Sequence, residues 1–304
     1  MSEIPFQLGL AIWGYQGWLG NLFPSGSRSR DFLALYSRRF YCVEGNTTFY
    51  AIPDVPTLQR WIAQTPPMFR LCPKLPKAVT HSGRLWPQLP AALQFLSRMQ
   101  ILENRLGPFL LQLPPRYGPS QLDDLNQFLQ GWTAAAPEYE LALEVRHIDW
   151  FQPHRALQLT AILEDLGVGR VLLDSRPIYA GAASPRLEQL PESQREKKPH
   201  VPLQPCITSE FAFVRYISHP EPERNSIYLA EWVTQVAAWL QQGKRIYFFV
   251  HCPIEAQSPT IARQFQALLE VAGVAVPPLP WNQLPPDGLA QKNCDPEQLR
   301  LFDS

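Results

Sequence analysis

LALEVR, residues 141–146, alternates in the manner of a β-strand with two unlike faces. Leu141, Leu143 and Val145 share one face, while Glu144 and Arg146 share the other. The apolar face suits burial beneath helices. The charged face suits the open end of a barrel, because a charge in a dry interior is costly unless it is paired or reaches water.

The same pattern recurs along the chain. Strands are predicted at 7–13, 40–46, 69–74, 109–113, 141–146, 170–174, 211–217 and 246–251. Helical periodicity separates most of them, at 30–39, 57–64, 91–106, 121–133, 155–166 and 230–242. In the last of these, Trp232, Val233, Val236 and Leu240 fall on one face. Strands alternating with helices in this way predict an α/β fold, a single TIM-barrel-like (β/α)8 parallel barrel. The later strands end in polar groups: Glu44 and Asn46, Lys74, Gln112, Glu144 and Arg146, Asp174, Arg215 and His251. The C-terminal mouth of such a barrel is where sites are built. Two stretches depart from the alternation. Residues 176–206 are rich in proline and read as a long surface loop in the sixth connection. Residues 277–304 read as a Pro-rich linker and tail, which leaves 1–276 as the barrel domain.

Composition narrows the function classes. In 304 residues, 27 basic and 27 acidic side chains leave a net charge of zero, with 45% hydrophobic residues. That balance is globular, and it suits nucleic-acid binding only if the charge is locally segregated. Cys42, Cys72, Cys206, Cys252 and Cys294 lie far apart, without a CxxC pair. The spacing argues against a disulfide framework or a cysteine zinc site and suits reduced thiols. No apolar run approaches the ~20 residues of a membrane helix, and the opening MSEIPFQLGL lacks a secretory pattern. The expected location is cytoplasmic, with no membrane partner.

Several of these strands carry a family resemblance. The segments VEGNTTFY (43–50), FRLCPKLPKAVTH (69–81), LLQLPP (110–115) and LEVRHIDW (143–150) resemble the signature blocks of the DUF72, or YecE-like, family. LAIWGYQGWLGNLFP (10–24) resembles that family's tryptophan-containing first loop. The resemblance spans residues 8–270 and implies a TIM-barrel-like fold, but it supplies no reaction. That barrel is similar to those of metal-dependent endonucleases and sugar isomerases, a likeness of fold alone. Where the family carries Arg-x-His-Gly near its seventh strand, FVRYISHP (213–220) keeps Arg215 and lacks the glycine. Where it ends strand eight in paired asparagines, this chain has His251-Cys252.

The mouth residues admit three chemistries. Glu44, Glu144 and Asp174 with His81, His147 and His251 offer carboxylate and imidazole ligands for a divalent metal such as zinc, manganese or magnesium. Without a metal, Glu44 or Glu144 would act as base while Lys74 or Arg146 stabilises developing negative charge, with Asp174 completing a catalytic cluster. Asn46, Tyr50, His81, Gln112, His147, Arg215 and His251 would then contact the substrate, the arginines being suited to phosphate or carboxylate. The third reading is a structural ring of ion pairs. GxSxG, Walker A and GxGxxG motifs are absent from the sequence. Trp13, Tyr15, Trp18 and Trp86 offer either stacking surfaces or ordinary packing.

The tail carries a partner signal. Gln298, Leu299, Leu301 and Phe302, in QLRLF, resemble the peptide by which bacterial replication and repair proteins dock on the DNA sliding clamp. Leu301 and Phe302 would be the apolar anchors, and Gln298 the polar contact. Alternatively, Asp295 caps a short helix whose Leu299 and Phe302 pack on the barrel. Together these features point to an enzyme acting on a phosphate-containing or nucleotide substrate in DNA metabolism. A non-catalytic clamp or nucleic-acid adaptor and a small-molecule isomerase or hydrolase are the other classes.

Overall fold

Eight parallel strands, β1 (Phe6–Leu10), β2 (Cys42–Gly45), β3 (Arg70–Pro73), β4 (Phe109–Gln112), β5 (Leu141–Glu144), β6 (Gly169–Asp174), β7 (Phe211–Ile217) and β8 (Arg245–His251), run in the order β3-β2-β1-β8-β7-β6-β5-β4. The computed structural model describes residues 4–179 and 199–283. The ends of this sheet come together where Gly107 N donates to Leu71 O at 2.9 Å and Leu75 N donates to Leu110 O at 2.9 Å. The result is a nearly closed TIM-barrel-like fold. The β3–β4 seam is its sparsest ladder, in part because Pro73 has no N–H to give.

Alternation along each strand divides the barrel into two cores. Inward-facing Cys42, Cys72, Leu110, Ala142, Val171, Phe213, Tyr247 and Phe249 fill the interior. Outward-facing Leu8, Leu10, Val43, Leu143, Val214 and Phe248 join the helices in one continuous apolar layer. Those helices include α1 (Phe32–Tyr36), α2 (Thr47–Tyr50), α3 (Val55–Gln64), α4 (Lys77–Thr80), α5 (Leu89–Met99), α6 (Leu122–Ala135), α7 (Pro153–Leu166), α8 (Arg176–Tyr179), α9 (Ser226–Gln241) and α10 (Ser258–Val271). Tyr36 ties α1 to the sheet. Its buried hydroxyl accepts from Leu10 N at 2.7 Å and donates to Cys42 O at 2.9 Å. At Gly9 the strands come closer than a side chain allows, since a Cβ there would lie 2.1 Å from the Cys42 carbonyl oxygen.

Three sequence expectations are corrected. The helix α10 is absent from the predicted set, although Ile261, Ala262, Phe265 and Leu269 form its buried stripe and the Phe265 ring packs tilted on Phe248 with centroids 4.4 Å apart. The sixth connection opens with α8 rather than loop alone, and its return places Val201 against Leu173 and Ile217; residues 180–198 lie outside the described residues. The chain beyond 276 is not a free linker from its first residue. Pro277 O accepts from Gln266 Nε2 at 3.0 Å, Pro278 O accepts from Tyr41 Oη at 2.7 Å, and the Trp281 ring meets the guanidinium groups of Arg39 and Arg263 at 5.0 and 4.6 Å from its centroid and Phe40 edge-on at 5.5 Å. The barrel unit therefore extends past the 1–276 boundary, because a tryptophan flanked by two cations and an aromatic ring is an anchor. Among the described residues, no helix is long and apolar enough to cross a membrane.

Candidate active site at the barrel mouth

Inward alternation at the strand ends brings the predicted charged residues together. Arg215, from β7, is the centre. Its Nε donates to Glu44 Oε2 at 2.7 Å and its Nη2 donates to Glu44 Oε1 at 2.9 Å, a bidentate pair. Its Nη1 also bonds Glu144 Oε2. Arg146 Nε donates to the other oxygen of Glu144 at 2.5 Å. His251 Nε2 lies 3.0 Å from Glu44 Oε2. Gln112 Oε1 accepts from Lys74 Nζ at 2.9 Å, from Arg146 Nη2 at 2.7 Å and from Arg215 Nη1 at 3.5 Å. Lys74 Nζ also reaches Asn46 Oδ1 at 3.4 Å and sits 4.3 Å over the Phe49 ring. Asn46 is held in turn by its Nδ2, which donates to Ala11 O at 2.9 Å.

Burial makes these contacts consequential. Glu44 is 0% exposed, Glu144 1%, Arg215 5% and Lys74 7%. Three cations, Lys74, Arg146 and Arg215, face two carboxylates, Glu44 and Glu144, so the cluster carries a net charge of +1 before His251 is counted. Burial alone would raise the carboxyls. For Glu44, Arg215 and His251 outweigh it and hold the group well below its ordinary range. For Glu144, Arg146, Arg215 and Lys74 bring it to about 2. Lys74 moves the other way. Burial, with repulsion from Arg215, lowers it from 10.5 to about 8 against the pull of Glu44 and Glu144. Among these groups, the carboxylates are poor bases at neutral pH and Lys74 is the one whose proton moves readily.

The remaining candidates fall at the rim or elsewhere. His81 follows α4, with Nδ1 2.7 Å from Thr80 Oγ1 and its ring edge-on to Phe49 at 5.1 Å. His147 packs against Gly118, where a Cβ would come within 3.1 Å of its ring, and its Nδ1 accepts from Asp149 N at 3.2 Å. Tyr50 is 81% exposed beside Phe49. Asp174 does not join the cluster. Its position along β6 shares the face of Arg170 and Leu172, so it turns outward to accept from Trp232 Nε1 of α9 at 2.8 Å and from Arg176 at 2.9 Å. The inward parity of β6 belongs to Val171 and Leu173. Gln298, Leu299, Leu301 and Phe302 lie outside the described residues.

Metal chemistry finds no ligand set here. Among the described residues, no three His, Cys, Asp or Glu side chains converge on a metal-sized position. Glu44 and Glu144 already face arginines, which a divalent cation would have to displace. The aromatic residues of the first loop are mainly packing: Trp18 is buried and donates from Nε1 to Glu255 O at 3.0 Å, and Trp13 meets Trp61 edge-on at 5.2 Å. Three residues that the strand-end pattern does not mark also lie here: Phe49 under Lys74, and Lys77 and Arg116, which both meet the His81 backbone. Lys77 and Phe49 lie inside the resembling blocks 69–81 and 43–50, and Arg116 directly follows LLQLPP, so adjacency to those blocks was the available signal. A separate cavity of about 710 Å³ lies at the opposite end of the barrel, beside Arg70, Glu140 and Arg245. Arg245 and Glu140 pair there, at the face where barrels carry stability rather than chemistry.

The sequence matches the family described as "Protein of unknown function DUF72" over residues 7–284. It is 35% identical over 278 residues to UPF0759 protein YecE of Escherichia coli (strain K12), an alignment covering 90% of this chain and 97% of that protein. It is 21% identical over 281 residues to UPF0759 protein YunF of Bacillus subtilis (strain 168), covering 87% and 94%. The fold is similar to the crystal structure of a DUF72 family protein from Enterococcus faecalis V583, with TM-score 0.64 and 18% identity over 87% of this chain and 95% of that one. It is also similar to a DUF72 family protein from Thermotoga maritima MSB8, with TM-score 0.63 and 21% identity over 87% and 99%. The family match takes in the Trp281 anchor as well as the eight strands and the mouth they carry, and on this match the chain belongs to the DUF72 family.

Proposed function

We propose that the mouth binds an anionic group of a phosphate-containing or nucleotide substrate and that Lys74 moves a proton there. One observation carries the reading: Lys74, Arg146 and Arg215 converge on a single amide oxygen, that of Gln112, in a buried cluster left with a charge of +1. Cations gathered around a neutral acceptor keep donors to spare, and an arriving phosphate oxygen takes them up. Glu44 and Glu144 serve by holding Arg215 and Arg146 in place. The outward turn of Asp174 removes it from this reaction and gives it the task of fixing α8 against α9.

Lys74→Met is expected to weaken binding of a nucleoside monophosphate by roughly tenfold or more, the loss of one charge-assisted contact. Titration calorimetry reads this directly, and unchanged affinity rejects Lys74 as an anion contact. Any turnover that uses its proton should show an ionisation near pH 8 that vanishes in the variant.

The assignment to DNA metabolism rests on the QLRLF segment at 298–302. Docking on a sliding clamp would raise the local concentration at DNA without new contacts, offsetting the absence of net positive charge. The purified protein is expected to bind a bacterial clamp with micromolar affinity, about −8 kcal/mol, and Leu301→Ala/Phe302→Ala to abolish binding. No binding by either form removes the DNA role and leaves a small-molecule enzyme. Clamp binding together with a silent Lys74→Met leaves an adaptor.

A further inference from the structure

Beside the floor of the mouth, the rim over β3 and β4 carries a second group of cations. His81 is its centre. Lys77, one turn earlier on α4, accepts the His81 N–H on its carbonyl at 2.9 Å, and Arg116 Nη2 donates to His81 O at 2.5 Å. Lys74 and His81 both meet the Phe49 ring, Lys74 Nζ at 4.3 Å from its centroid and the His81 ring edge-on at 5.1 Å. Lys77 and Arg116 are exposed, and among the described residues neither has a carboxylate partner. The nearby Asp124 does not neutralise them. Its oxygens are spent on Arg84 Nε at 3.0 Å, Tyr117 Oη at 2.8 Å and Leu85 N at 2.6 Å. Burial, followed by Lys74, Arg116, Arg146 and Lys77, lowers His81 to about 4, so the ring is neutral at pH 7 amid unneutralised charge. The same Phe49 ring supports Tyr50, its edge-on neighbour at 5.1 Å, which presents an aromatic face to solvent.

We infer that this rim is a second anion subsite, so that the mouth takes a ligand with two phosphates joined by a nucleoside. One phosphate lies over Lys74 and Arg146, the other over Lys77 and Arg116, and the base stacks on Tyr50. The geometry supports this pairing because Phe49 touches Lys74, His81 and Tyr50 at once, which places floor, rim and aromatic surface around one ring. Stacking on an exposed aromatic is tolerant of base identity, and phosphates spaced along a sugar match cations spaced along a rim. The inference rests on the floor binding a phosphate, as proposed above. It adds the second phosphate and the base.

The test is titration calorimetry of the full chain with adenosine 5′-monophosphate, adenosine 3′,5′-bisphosphate and a single-stranded deoxyadenylate tetramer. The bisphosphate is expected to bind roughly tenfold tighter than the monophosphate. Lys77→Ala/Arg116→Ala, both exposed positions, should erase that advantage and leave the monophosphate within about twofold of wild type. Tyr50→Ala should weaken both nucleotides by several-fold. A tetramer binding tighter than the bisphosphate supports the subsite with a nucleic-acid strand as its source. A tetramer binding weaker supports it with a small nucleotide. Equal affinity for monophosphate and bisphosphate overturns the rim subsite while the floor stands. An undiminished advantage in the double variant overturns the assignment of Lys77 and Arg116. Failure of every probe to bind overturns the floor reading and this inference with it.

Discussion

Replacing Arg215 by methionine should lower the unfolding free energy at pH 7 by roughly 3–5 kcal/mol, the cost of stranding buried charge when one partner of a buried pair is removed. Methionine keeps much of the volume, so the loss is electrostatic rather than a cavity. Among the described residues, Glu44 would keep its contact with His251, and Glu144 its contact with Arg146 and the more distant charge of Lys74. The deficit should also depend on pH. In the wild type Glu144 ionises at about 2 in the folded state against an ordinary 4.5. Its stabilisation is therefore complete above about 4.5 and is lost as pH falls toward 2. In the variant both carboxyls titrate higher, because burial no longer meets the Arg215 charge, and protonation relieves them. Urea denaturation at pH 7 and pH 4 should therefore show the gap between the two proteins narrowing in acid. Glu44→Gln on the Arg215→Met background should recover part of the loss, a coupling that a double-mutant cycle reads. A deficit below about 1 kcal/mol at pH 7 would mean that water reaches the cluster and screens it.

Gly9→Ala should be as damaging, for a steric reason. The added Cβ would lie 2.1 Å from the Cys42 carbonyl oxygen, a backbone atom that Tyr36 Oη already holds at 2.9 Å. Neither side can yield by a rotamer change. The cost is expected at or beyond the upper end of the ~1–3 kcal/mol typical of overpacking. The displacement of β2 would also carry Glu44 and Asn46, two and four residues further along, out of register with Lys74 and Arg215, so anion binding should fall with stability. Gly14→Ala is the control: a Cβ there meets nothing within 4 Å. If both variants melt at the wild-type urea concentration, the β1–β2 approach is looser than described.

Particular residues show how far the sequence could be read. The end of strand five was legible because LALEVR alternates cleanly, and Glu144 and Arg146 do face inward together. Glu44, Lys74, Gln112, Arg215 and His251 were legible because each stands at or near the end of an apolar run. Asp174 stood at the end of such a run too, and was misplaced. In GRVLLD, Arg170, Leu172 and Asp174 share one face and Gly169, Val171 and Leu173 the other, so a polar residue at the strand end did not by itself say which face looks inward, and the packing of Val171 and Leu173 inside the barrel shows that Asp174 points out. The helix α10 failed differently. Its stripe at Ile261, Ala262, Phe265 and Leu269 is visible once its face is known, but it is diluted by glutamines and flanked by proline. Trp281 was hidden because a proline-rich context reads as a linker, and nothing local reveals that Arg39 and Arg263 pack on its ring.

By itself, then, the sequence determined the eight strands, their parallel closure and the polar character of one end. Those properties follow from periodicity and burial, which act over a few residues and leave a local trace. Only the tertiary structure decided that Glu44 shares Arg215 with Glu144, that Gln112 gathers three cations, that Asp174 belongs to the helix layer and that Phe49 joins Lys74, His81 and Tyr50. Those are contacts between residues up to 171 positions apart in the chain. Their partners are fixed by the parity and register of neighbouring strands, and a one-residue change of parity turns a side chain from the mouth to the opposite face.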